Sequence, residues 1–382
     1  MEEFSFSIPQ GIFFGDRIVT KLPKLASKLG GKKAFIISGP HLKRIGLVGK
    51  CSEELENGGV QCESFTETEA NPSTDTVHKA AESFVKSGAD MIIAIGGGSP
   101  LDVAKAVAVV AKFGGNINDY EGVSKIPGPV VPIIAVPTTA GTGSEVTAFS
   151  VITDHSRNYK LTIGSEYILP RYALLDPELI ESVPEKTAAA CGIDALVHAI
   201  EAYVSLKASP FSDMMALKAI ELIGGNLCEY VENRGNKDAA RSMMQGSLFA
   251  GIAFSHARLG NVHAMSHPVS AYFDVPHGLA NAILLPTVIE YNGSATIEKY
   301  YDIYRCLSSG REDGREFDIN TLVDEIKSLS KKLGIPSGLK EVGVKEEFFE
   351  KMSTDAMKSG NIKVNPRKTT YEDIMKLYKK AY

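Results

Sequence analysis

The chain has 382 residues, 44% of them hydrophobic, and a formal net charge of −5. That length points to two domains with apolar content for both cores, and the mild acidity leaves no basic footprint for nucleic acid or an anionic membrane. The five cysteines, Cys51, Cys62, Cys191, Cys228 and Cys306, are odd in number and form no Cys-x-x-Cys pair, which suits reduced thiols in a cytoplasmic protein. The start, MEEFSFSIPQ, lacks the basic residues and apolar run of a signal peptide. No uninterrupted apolar stretch reaches the length of a membrane span.

Along the first half, KKAFIIS, DMIIAI and VVPIIAV are short apolar runs of the kind found in buried parallel strands, and the segments after the first two read as helices. That alternation predicts a doubly wound sheet. ADMIIAIGGGSPLDVAKAVAVVA puts a strand directly before Gly96, Gly97 and Gly98 and an apolar-periodic helix after them. Ser99 is the expected N-cap, Pro100 the first helical residue, and Asp102 completes a capping box. A sharp turn explains one or two glycines. Three in a row suit the close approach of a pyrophosphate to backbone N–H groups at a helix N-terminus, although this is not the G-x-G-x-x-G pattern. A second turn, PTTAGTGSEVT, follows VVPIIAV and offers Thr138, Thr139, Thr142 and Ser144 as hydroxyl donors around Gly141 and Gly143. It reads either as an ordinary Thr/Gly loop or as a ligand loop at the carboxyl edge of the sheet, where ligands of open α/β sheets bind. Two such turns after neighbouring strands favour the ligand.

After about Asp176-Pro177 the texture becomes helical, with segments from Glu185 to Val204, Ser212 to Glu232 and Lys237 to His256. The expected division is an α/β dinucleotide-binding domain over residues 1–180 and an all-α domain over residues 181–382. GREDGREFD at 310–318 reads as a polar loop with no assigned function.

Within the helical half, CGIDALVHAIEAYVS sets Asp194 and His198 four residues apart on one helix face. Ile193, Leu196, Val197 and Ile200 surround them, so the carboxylate is costly unless a cation compensates it. Such pairs also arise by chance as a helix charge and a core histidine. GNVHAMSHPVSAYFDVPHG adds His263, His267 and His277, the last in a turn-like Pro-His-Gly that can aim an imidazole from a loop. One oxygen and up to three nitrogens suit Fe(II) or Zn and argue against Mg or Ca. Spacing leaves open which three histidines bind.

GGGSPLDVAKA, PTTAGTGSE, DALVHAIEAY and VHAMSHP through VPHGLANAILLP, with NPS at residues 71–73 and NPR at residues 365–367, closely resemble the iron-dependent (group III) alcohol dehydrogenases, in the same order along nearly the whole chain. The resemblance implies the iron-containing alcohol dehydrogenase fold, shared with dehydroquinate synthase, with cofactor and metal in the cleft between the two domains. It implies Asp194, His198, His263 and His277 as metal ligands and His267 as a proton-relay group beside the nicotinamide. It implies cofactor contacts from Asn71, Gly97, Gly98, Ser99, Asp102, Thr138, Thr139, Thr147, Phe149, Lys160 and Leu179, with Gly98 and Ser99 on the pyrophosphate and Lys160 on a ribose hydroxyl. The implied chemistry is hydride transfer between NAD(P)(H) and a small primary alcohol or aldehyde, with Fe(II), or else Zn, acting as Lewis acid. A homodimer or higher homo-oligomer, with a small-molecule substrate and no nucleic acid or membrane partner, completes the expectation.

Two positions depart from the commonest pattern. Many NAD-using members carry an Asp at the end of the first Rossmann-type strand; this chain has Gly39, followed by Lys43 and Arg44. Without that carboxylate a 2′-phosphate is not repelled, so the reading favours NADP(H) over NAD(H); a plain turn glycine is the alternative. Arg258, shortly before His263, suits an anionic substrate head group, and otherwise an ordinary ion pair. A polyol or polyol-phosphate dehydrogenase, a lyase of the same superfamily, and a non-enzymatic sensor are the rival readings.

Overall fold

The computed structural model describes residues 3–308 and 317–382. Most of the polar stretch expected at 310–318 lies outside them. The chain divides into two compact units, one comprising Ser7–Thr139 and Ser144–Glu181, the other the residues up to Phe6, Ala140–Gly143 and Ser182–Tyr382.

The first unit carries the strands β1 (Gly11–Phe14), β2 (Lys33–Ile37), β3 (Gln61–Phe65), β4 (Met91–Gly96), β5 (Gly122–Val123), β6 (Ile133–Pro137), β7 (Phe149–Asp154), β8 (Tyr159–Gly164) and β9 (Tyr172–Leu175). Six of them form a parallel sheet in the order β1-β9-β6-β4-β2-β3. Its helices are α1 (Leu22–Lys28), α2 (Pro40–Arg44), α3 (Leu47–Asn57), α4 (Thr74–Ser87) and α5 (Gly98–Phe113). The unbroken apolar run of β4 follows from its position in the middle of the sheet. Ile92 and Ala94 join one core with α4 and α5, while Met91, Ile93 and Ile95 join another with α1 and α3. Both faces are covered, so no polar alternation survives. From β2 the chain moves outward to β3, and from β4 it moves the other way to β6, so the carboxyl ends of β2 and β4 flank the reversal point where such sheets hold nucleotides.

A second sheet, β5-β8-β7, was not expected from the sequence. Its β7–β8 hairpin is antiparallel, and the Thr153 N–H donates to the Pro72 carbonyl over 2.8 Å, tying the NPS segment to the hairpin. The start of α5 also differs from expectation. The helix begins at Gly98 with Gly97 at the cap and no side-chain cap bond, because the Asp102 carboxylate is occupied elsewhere.

The second unit is helical: α6 (Glu185–Val204), α7 (Pro210–Glu232), α8 (Lys237–Ala257), α9 (Asn261–Phe273), α10 (His277–Asn292), α11 (Ile297–Leu307), α12 (Ile319–Lys332), α13 (Phe349–Lys358) and α14 (Tyr371–Lys380). Ser209 and Asn236 cap α7 and α8 by accepting first-turn N–H bonds. By length and composition α6 would suffice for a membrane span, but Asp194, His198 and Glu201 interrupt its apolar run and it is mostly buried within the protein.

Candidate metal centre and dinucleotide site

Asp194, His198 and Glu201 stand at i, i+4 and i+7 on α6, hence on one face, and all three are buried. The next helices bring the other imidazoles to that face. His263 is the third residue of α9, with His267 one turn on. His277 opens α10, so it projects from a helix N-terminus and not from the expected loop. Gly278 permits the approach: a Cβ there would stand 2.3 Å from the Ala190 carbonyl oxygen and 3.2 Å from the Asp194 Cβ. Any larger residue would push α10 off α6.

Asp194 Oδ1 lies 3.9 Å from His198 Nε2, 3.8 Å from His263 Nε2 and 4.0 Å from His277 Nε2. Two ligands each about 2.1 Å from one ion can stand at most about 4.2 Å apart, so each carboxylate–imidazole pair fits a shared ion. Asp194, His263 and His277 offer ligand atoms within 4.8 Å of one another. His198 falls outside that tighter group but stacks on His263 with ring centroids 4.6 Å apart. His267 is half-buried, its ring 5.3 Å from that of His277 and 6.4 Å from that of His263. The structure thus brings all the histidines of the pattern together, with His267 beside the carboxylate cluster.

The nitrogens of His198 and His263 that face away from Asp194 are fixed by partners the sequence did not reveal. His198 Nδ1 lies 3.2 Å from the Gly141 carbonyl. A carbonyl only accepts, so Nδ1 carries the proton and Nε2 keeps its lone pair. His263 Nδ1 lies 2.6 Å from Glu201 Oε2. Asn281, one turn after His277, donates through Nδ2 to Asp194 Oδ1 at 2.6 Å. Burial shifts three of these groups toward neutrality: Asp194 upward, against the pull of His198 and Asn281; His198 downward; and His263 far downward, with the neighbouring imidazoles adding to it. Neutral imidazoles are the ligating form.

In the α/β unit, Gly39, the Gly97–Gly98–Ser99 turn and Thr138–Thr139 follow β2, β4 and β6, three adjacent strands. The last two turns are joined by the Thr138 N–H donating to the Gly96 carbonyl at 2.9 Å. Asn71, with φ +52, meets Lys160 of β8, whose Nζ donates to Asn71 Oδ1 at 2.5 Å; residues 89 positions apart converge through the NPS–hairpin connection. Leu179 lies just after β9. Asp102 does not cap α5: its carboxylate accepts from Ser144 Oγ at 2.6 Å and the Val151 N–H at 3.0 Å. Thr147 and Phe149 border the buried Lys105, which donates to Thr147 Oγ1 at 3.2 Å and to the Phe149 carbonyl at 2.7 Å. Lys43 and Arg44 are exposed on α2, one turn beyond Gly39.

Ala140–Gly143, within the PTTAGTGSEVT turn, group with the helical unit, and Gly141 supplies its carbonyl to His198. Arg258 is the C-cap of α8, held at φ +68.

The comparisons agree along the chain. Residues 9–177 match the family described as iron-containing alcohol dehydrogenase, and residues 188–382 match the C-terminal part of the Fe-containing alcohol dehydrogenase family. The 1,3-propanediol dehydrogenase of Citrobacter freundii is 38% identical over 99% of both chains. The NADPH-dependent butanol dehydrogenase of Clostridium saccharobutylicum is 37% identical over 99% of this chain and 97% of its own. A crystal structure of 1,3-propanediol oxidoreductase superposes with a TM-score of 0.95 at 37% identity, covering 100% of each chain.

Proposed function

Because the chain belongs to the iron-containing alcohol dehydrogenase family, an enzyme that joins a metal and a nicotinamide cofactor to a small alcohol, we propose that it is an Fe(II)-dependent, NADP(H)-preferring reductase of small aldehydes. The observation that carries the metal reading is the convergence of three imidazole Nε2 atoms on Asp194 Oδ1 within 4.0 Å. In this reading Asp194, His198, His263 and His277 are the ligands. Bound there, the divalent ion supplies Lewis acidity toward the alcohol or carbonyl oxygen while the nicotinamide carries the hydride.

The chain's own groups supply the rest. The buried α6 face excludes water and so strengthens every charge interaction around Asp194. Gly141 and Glu201 hold two imidazoles in one orientation. His267, beside but outside the carboxylate cluster, holds a proton at its ring and relays it to or from the substrate oxygen. Gly98 and Ser99, in the first turn of α5, present N–H groups without intrahelical acceptors to a pyrophosphate. Asn71 and Lys160 act together on a ribose.

The NADP(H) preference is supported by Gly39 in place of an acidic residue and by exposed Lys43 and Arg44 on the following turn. A cytoplasmic location is part of the reading, and the five unbridged cysteines favour it. An anionic head group on the aldehyde is the finer variant that Arg258 suggests. An aldehyde panel with NADH and NADPH, run on chelator-stripped protein reconstituted with Fe(II), with Zn(II) or with no metal, tests the proposal. Full turnover without metal, or an NADH preference, overturns the corresponding part.

A further inference from the structure

Glu201 has no place in the ligand set, yet it is 4% exposed and sits on the Asp194–His198 face of α6. Both of its oxygens are committed to α9. Oε2 lies 2.6 Å from His263 Nδ1, and Oε1 accepts the Val262 N–H at 2.6 Å. A buried carboxylate that served only to anchor a helix N-terminus would need the second contact alone. The first contact takes up the one nitrogen of His263 that faces away from Asp194, while His263 Nε2 stands 3.8 Å from Asp194 Oδ1. One imidazole therefore spans two carboxylates, one at each nitrogen.

We infer that Glu201 is a positioning residue of the metal centre: it holds His263 as the Nδ1–H tautomer, fixes the plane of the ring, and presents a more basic Nε2 to a divalent ion. The inference rests on the metal-ligand reading above. Hydrogen bonding to an anion makes an imidazole a better donor than hydrogen bonding to a neutral group. His198, whose Nδ1 meets the Gly141 carbonyl, is the internal contrast with a neutral acceptor. The Val262 contact adds the backbone to the same clamp, so that ring and helix start are set by one side chain.

The test compares wild type with Glu201→Ala and Glu201→Gln in the full chain. Zinc affinity is read by competition with a chromophoric chelator, dinucleotide affinity by fluorescence, and the ring tautomer by 15N-histidine NMR of the diamagnetic zinc form. The expected result is that Glu201→Ala weakens zinc by about 10–100-fold. Glu201→Gln, whose carbonyl still accepts from Nδ1, restores part of that loss, and dinucleotide affinity stays within a few-fold in both. In wild type the proton sits on His263 Nδ1. Zinc affinity within about threefold of wild type in Glu201→Ala, or a proton on Nε2 in wild type, overturns the inference. Should Glu201→Ala not fold, the Gln variant and the wild-type spectrum decide. A wild-type chain that binds no zinc overturns the metal reading itself, and the inference with it; a chain that binds zinc equally well without Glu201 overturns the inference alone.

Discussion

Lys105 and Ser144, 39 positions apart, meet in a buried 2.8 Å hydrogen bond from Nζ to Oγ, and the Ser144 hydroxyl in turn donates a hydrogen bond to Asp102. The ammonium thus joins α5 to the start of β7, where Thr147 and Phe149 lie. Burial pushes its pKa down to about 8, against the opposing pull of Asp102 and Glu145. Lys105→Met leaves these acceptors unpartnered and is expected to cost roughly 3 kcal/mol in urea unfolding, with weaker dinucleotide binding. The pH dependence has an unusual sign. Between about 8 and the unfolded value of 10.5 the unfolded chain holds the proton and the folded one does not, so this group adds stability as pH rises. The gap between wild type and variant should widen over that window; a flat gap would show that Lys105 keeps its proton.

Much of the helical unit was legible because its signals are local. α6 runs from Glu185 to Val204 as its periodicity predicts, and Asp194 and His198 share a face by spacing alone. β4 was legible because a sheet interior tolerates only apolar residues. The β7–β8 hairpin was not, since FSVITD and YKLTIG alternate weakly and the hairpin's tie to the distant Pro72 leaves no local signal. The Ser99 capping box failed because Asp102 found better partners 42 and 49 positions away. Glu201 carries no local signal, its partner lying 62 positions on. Gly141 acts through a backbone carbonyl, which no side-chain pattern can announce.

Gly141→Ala tests that carbonyl. The new Cβ would fall 2.7 Å from the Cys191 Cβ and 2.8 Å from the Cys191 carbonyl oxygen, so the turn must retreat and take its hydrogen bond from His198 with it. Zinc affinity is expected to fall by about tenfold, measured by chelator competition, with the thermal midpoint lowered by the strain. An unchanged zinc affinity would show that His198 needs no outer partner.

His263→Ala should abolish metal-dependent turnover while leaving dinucleotide affinity within several-fold of wild type. The histidine belongs to the helical unit, whereas Gly97–Ser99 belong to the α/β unit. Steady-state rates on stripped and reloaded protein, with cofactor titration by fluorescence, provide the check. Near-normal turnover in the variant would remove the Lewis acid from the reaction.

Gly39→Asp should shift preference from NADP(H) toward NAD(H), since a carboxylate there accepts the ribose 2′-hydroxyl and repels a 2′-phosphate. The new Cβ would stand 3.2 Å from the Thr68 carbonyl oxygen, so the loop must yield slightly and about 1 kcal/mol of stability is expected to be lost. The ratio of kcat/KM for the two cofactors is the readout. An unchanged ratio in a folded variant would show that Gly39 does not read the cofactor.

Arg258 closes α8 at φ +68, a conformation that a non-glycine residue holds only under constraint from its surroundings, and it lies five positions before His263. Its Nη2 is 3.3 Å from where a Cβ on Gly360 would stand. If the guanidinium serves the substrate, aldehydes with a carboxylate or sulfonate should be reduced with higher kcat/KM than neutral ones of equal length. Arg258→Ala should then lose roughly 2–4 kcal/mol of that advantage, as for a desolvated pair, and leave neutral aldehydes nearly untouched. Arg258→Gly, which relieves the positive φ, separates the backbone from the charge: it should be at least as stable as the Ala variant and equally blind to anions. Equal losses on charged and neutral substrates would assign Arg258 to the support of α8 and α9, and a small neutral alcohol would remain the substrate class.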